Sequence, residues 1–67
     1  MEYKLELLKL GKTQVDLINE INSRDLGFKS SVQDMSYAIK GTPRPKYDKI
    51  RAAVEVIINE WKAAACP

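Results

Sequence analysis

GKTQVDLINEINSRDLGFKSSVQDMSYAIKG, residues 11–41, is the stretch whose reading decides the fold. Gly11 ends whatever helix precedes it, in the position that favours a left-handed cap. Thr13 followed by Asp16 makes a Thr-x-x-Asp pattern, a shorter relative of the capping box, so a helix starts there. Val15, Leu17, Ile18 and Ile21 recur at spacings of three and four, which puts them on one side of that helix. The helix is expected to run to Ser23 or Arg24. Asn22, Ser23, Asp25 and Gly27 then form a turn, with Gly27 suited to positive φ. Leu26 and Phe28 are expected beneath that turn. Ser30 or Ser31 caps a further helix. Val32, Met35 and Ile39, widened by Ala38, make its apolar stripe, and Gln33, Ser36, Tyr37 and Lys40 fall on the opposite face. Gly41 stops it.

Outward from this stretch the pattern stays helical. Residues 2–10, EYKLELLKL, place Leu5 and Leu8 one turn apart, and likewise Tyr3, Leu7 and Leu10, among residues that favour helix. Thr42-Pro43-Arg44-Pro45-Lys46 reads as a stiff extended connection, because residues before proline avoid the α region. Pro45 suits the first turn of the next helix. That helix, 46–64, is the longest. Its apolar positions Tyr47, Ile50, Val54, Ile57, Trp61 and Ala64 recur at alternating steps of three and four, with Ile58 flanking the stripe and Val56 pointing elsewhere. Nothing alternates as a strand would. The fold class expected is all-α, a compact four-helix domain over residues 1–67 containing a helix-turn-helix and closed by a long C-terminal helix. Residues 62–67 are expected to fray, with Cys66 in a disordered end. The expected core is Leu17, Ile21, Phe28, Met35, Ile39, Ile50, Val54, Ile57 and Trp61.

Composition narrows the function. At 67 residues there is room for one domain. A chain this short buries about 60% of its unfolded surface, too little to spare for a large enclosed active site. It has no His and a single Cys, which removes the commonest general base, a disulfide framework and a cysteine-based zinc site within one chain. No apolar run approaches the ~18 residues of a membrane span. Asp16, Glu20, Asp25, Asp34 and Asp48 pair with no base, metal ligand or nucleophile in the pattern. No enzyme, cofactor or metal is therefore expected. The net charge is only +2, but residues 29–51 hold six basic residues (Lys29, Lys40, Arg44, Lys46, Lys49, Arg51) against Asp34 and Asp48, while the rest of the chain is acidic by two. A basic third on an acidic body is suited to a polyanion.

Gly11-Lys12-Thr13-Gln14 with Leu17, followed by a helix ending Tyr37-Ala38-Ile39-Lys40-Gly41, resembles the helix-turn-helix of Cro/repressor-type (Xre-like) transcription regulators of phages and mobile elements. The resemblance covers about residues 3–50. It implies a double-stranded DNA-binding regulator, such as a repressor, in the cytoplasm of a bacterial cell or phage-infected host. In that pattern Gln14 anchors a phosphate beside the unpaired N–H groups of a helix start. Ser31, Val32, Gln33, Ser36 and Tyr37 face the major groove, and the Gln33 amide is suited to adenine N6/N7. Lys40, Thr42, Arg44 and Lys46 lie on the phosphate backbone. Such proteins pair on two half-sites, so a weak homodimer through the C-terminal helix, or one formed on DNA, is expected, with Val56, Ile58 and part of Trp61 left to meet the partner. The chain departs from the family pattern at Ile18, where alanine is usual, at Lys12, usually apolar, and in the lack of a fifth helix. Some five extra residues, within 22–26, are expected to alter the angle of the third helix. Two other readings fit the same residues. One is a helix-turn-helix scaffold for a protein partner, as a host-factor inhibitor or antitoxin, marked by an exposed Tyr37/Phe28/Val56 patch. The other is an accessory DNA-bending or excision factor.

Overall fold

Most helix ends carry a local signal. The computed structural model describes residues 2–65 and contains α1 (Tyr3–Leu10), α2 (Gln14–Arg24), α3 (Val32–Lys40) and α4 (Pro45–Ala65), with no strand among the described residues. Gly11 closes α1 at φ 69°, and the Gly11 and Lys12 amides donate to the carbonyls of Leu8 and Leu7. This Schellman arrangement satisfies two carbonyls the helix would otherwise leave open. Thr13 and Asp16 form a full capping box on α2: the Thr13 amide donates to Asp16 Oδ2 at 2.8 Å, and the Asp16 amide donates to Thr13 Oγ1 at 3.3 Å. Pro45 is the first residue of α4, where its missing N–H costs nothing.

One core joins the four elements. Leu7 enters from α1, Leu17, Ile18 and Ile21 from α2, Met35 and Ala38 from α3, and Ile50, Val54, Ile57 and Ile58 from α4. Phe28, Ile39 and Trp61, expected at the centre, are half-buried against its edge. Ile18, the larger residue noted above, is buried in this core. Ile58 is also fully enclosed (0% exposed), which corrects the expectation that it faces a partner. On a long helix packed by α1, α2 and α3 alike, the buried arc is wider than one stripe.

The connection between α2 and α3 is closed by one side chain. Asn22 donates through Nδ2 to the Ser30 carbonyl at 3.1 Å, and its Oδ1 accepts from the Ser30 amide at 2.9 Å. The amide side chain thus behaves as a strand neighbour would, and Ser30 is itself buried. α2 runs through Arg24, and the loop after it turns at Asp25 (φ 52°) and Gly27 (φ 89°). Leu26 is exposed rather than tucked beneath this loop, whereas Phe28 packs against the core.

Ion pairs hold the periphery. Arg24 reaches Glu20 at 3.0 Å and Glu60 at 2.8 Å, tying α2 to α4. Lys62 meets Glu6 at 2.7 Å, and Tyr3 Oη donates to Glu55, tying α1 to α4. Lys12 lies 5.1 Å over the Trp61 ring, so the polar residue at a usually apolar position covers an aromatic face. With these anchors α4 remains helical through Ala65, past residue 62 where fraying is expected. Cys66 lies outside the described residues, as does its expected disorder.

Candidate nucleic-acid interface

The outward face of α3 is built from its cap upward. Ser31, not Ser30, is the N-cap, and it forms a second capping box with Asp34. Asp34 Oδ2 also takes Lys46 Nζ at 3.0 Å. Hydrogen bonding to Lys46, then to the Ser31 amide, holds the Asp34 carboxyl below its ordinary value. Met35 and Ala38 turn inward, so the helical period carries Val32, Gln33 and Tyr37 outward, with Ser36 half-buried between. Val32 is 67% exposed, which removes it from the apolar stripe and leaves it with the outward set. Gln33 Nε2 donates to Tyr37 Oη at 3.3 Å, and Lys40 Nζ lies 6.0 Å from the Tyr37 ring centroid.

The segment after α3 is held by backbone and by one arginine. Gly41 at φ 91° lets its amide and that of Thr42 donate to the Ala38 and Tyr37 carbonyls, a second Schellman closure. Arg51, in α4, donates through Nη1 to the Ala38 carbonyl at 3.1 Å and to the Thr42 carbonyl at 3.0 Å, and its Nη2 pairs with Asp48. A cation on the last carbonyls of a helix also complements its dipole. Arg51 is thus spent on the fold, although its charge counts in the basic third. Sequence reading passed over it. The signal available was its place on the line of Tyr47, Val54 and Ile58, one or two turns away on α4, which points it inward.

Arg44 differs from the other two arginines. Arg24 and Arg51 are committed to carboxylates, whereas the Arg44 side chain is exposed and meets no ion-pair partner among the described residues. It lines an open groove of about 460 Å³ with Tyr37, Thr42 and Tyr47. The rings of Tyr37 and Tyr47 form one wall, with centroids 5.6 Å apart and a 37° tilt, within the range of attractive aromatic pairs. From the sequence Tyr47 is expected only in the helix stripe. It is half-buried, packed against the core edge, and it also lines the groove.

The structure therefore gathers Tyr37, Thr42 and Arg44 around one groove, with Lys40 over Tyr37 and Gln33 bonded to it. Ser31 and Lys46 converge on Asp34. Gln14 is the first residue of α2, half-buried directly after its cap, and enters none of these contacts. Among the described residues no group of three or more carboxylate, Cys or His side chains could hold a metal, and no helix is long and apolar enough to cross a membrane. Compared with known proteins, the chain matches no family model, no curated protein and no solved structure.

Proposed function

We propose that this chain binds double-stranded DNA sequence-specifically and regulates transcription, with α3 in the major groove and residues 40–46 on the phosphate backbone. The observation that carries the reading is the outward face of α3. Val32, Gln33 and Tyr37 are exposed on a helix fixed at both ends, beside Lys40 and an uncommitted Arg44. Side chains able to read base edges and cations able to meet phosphates are the two parts such an interface needs. Lys29 and Lys49 are also exposed and outside the ion pairs, so the basic third retains charge for a polyanion after Arg51 and Lys46 are discounted.

The test is equilibrium binding to the DNA flanking the gene and to mixed-sequence duplex, at two salt concentrations. Tighter binding to the flanking DNA, weakening steeply with salt, supports the reading. Equal, salt-insensitive or absent binding refutes it. A protein-binding role has one observation in its favour: Leu8 on α1 is 77% exposed, near an exposed Leu5. The patch that reading predicts is incomplete, since Phe28 packs against the core.

A further inference from the structure

The groove between the end of α3 and the start of α4 has no assigned occupant, and its chemistry is specific. It is lined by Tyr37, Thr42, Arg44 and Tyr47, a set with one cation and no carboxylate. An anion is the ligand such a set accepts, since a guanidinium offers paired N–H donors matched to two oxygens of a phosphate. The donors are also available. Tyr37 Oη accepts its bond from Gln33 Nε2, so its own O–H proton is left to donate elsewhere. Among the described residues the Arg44 side chain has no carboxylate to compete with a ligand.

The backbone of the groove is hydrogen-bonded in place. Thr42 is held by its amide to Tyr37, and its carbonyl takes both Arg51 Nη1 and the Arg44 amide. The Tyr37–Tyr47 pair fixes the facing wall. The backbone at Thr42 is therefore held before a ligand arrives, which limits the ordering that binding requires. The groove, of about 460 Å³, is open to solvent, so a phosphate that belongs to a longer polynucleotide chain can reach Arg44 without leaving its neighbours.

We propose that Tyr37, Thr42, Arg44 and Tyr47 form a subsite for a single backbone phosphodiester, with Tyr47 as a ligand-binding residue and Arg51 as the positioning residue that holds its wall. This rests on the DNA-binding reading above and adds to it a fixed register point beside Gln33. The subsite couples the two functions of the face, because Tyr37 touches the groove and Gln33 alike.

The experiment is a salt series of binding to a 20-base-pair mixed-sequence duplex, with wild type, Tyr47→Phe and Arg44→Ala. Phenylalanine keeps the ring and removes only the hydroxyl. Tyr47→Phe is expected to weaken binding by about fivefold to tenfold with an unchanged slope of log K against log salt, since a neutral donor releases no counterion. Arg44→Ala is expected to flatten the slope by about 0.9. In 15N spectra of the wild type, the Arg44 Nε–H signal should move on adding duplex while those of Arg24 and Arg51 stay. Wild-type binding with Tyr47→Phe indistinguishable from it, or a stationary Arg44 signal, overturns the subsite and leaves the DNA-binding reading standing. A wild type that binds no duplex overturns both.

Discussion

Gln33 and Lys46 show how a side chain's neighbours set what it is free to do. Gln33 is exposed and bonded only to Tyr37 Oη, through one of its two Nε2 protons. The second proton and Oε1 remain, which is the donor–acceptor pair adenine presents its complement to in the major groove. Gln33→Ala is expected to cost about 1–3 kcal/mol on a preferred site and far less on random duplex, measured by paired titrations. Equal losses on both would make Gln33 a backbone contact. Lys46 is paired with Asp34, so a phosphate would have to compete with a carboxylate that already holds it. Lys46→Ala is accordingly expected to change the salt slope by less than Arg44→Ala does. A Lys46 effect equal to that of Arg44 would show that the ion pair opens on binding.

At the scale of elements, the α2–α3 connection depends on Asn22. Its side chain satisfies both the N–H and the C=O of the buried Ser30. Asn22→Ala leaves two backbone groups without partners in a region partly closed to water, at about 1–3 kcal/mol for each such group. A chemical denaturation midpoint close to that of the wild type would mean that water replaces the side chain and that the loop is held elsewhere. The capping boxes at Thr13 and Ser31 were half legible. The Thr-x-x-Asp spacing identified the first, while Ser30 and Ser31 were equal candidates for the second. Ser31 opens the helix because Asp34, three residues on, completes its capping box at the same spacing as Thr13 and Asp16.

For the whole molecule, ion pairs between elements make stability depend on acid. Hydrogen bonding to Lys62 lowers the Glu6 carboxyl, bonding to Arg24 lowers Glu60, and bonding to Lys46 lowers Asp34. Each native carboxylate binds its proton at lower pH than it does in the unfolded chain, where values lie near 4. The contribution is thus complete above about pH 5 and is lost as pH falls through the unfolded and then the native values. These groups are at the surface, so the effect is modest and screened by salt. Thermal melts from pH 7 to pH 3 should show a plateau and then a decline, smaller in Asp34→Asn; a decline of equal size in that variant would exclude Asp34 as a contributor. Leu17 is fully enclosed, and Leu17→Ala at about 2–5 kcal/mol should remove most of the stability of so small a domain, seen as a large drop in Tm. Association should be weak. With Ile58 inside the core, the apolar surface left on α4 is chiefly Val56, and sedimentation from micromolar to millimolar concentration is expected to show a monomer or a slowly saturating dimer. A tight dimer independent of concentration would point to Leu5 and Leu8 instead. The four helices, the Thr13 cap, the stops at Gly11 and Gly41 and most of the core were legible in the chain, because helical periodicity, glycine stops and Thr-x-x-Asp spacing act over a few residues. The wide buried arc of α4, the Asn22 bridge, the loss of Arg51 to the fold and the groove at Arg44 and Tyr47 were not legible. Each joins residues far apart in sequence, and their meeting depends on how the helices pack.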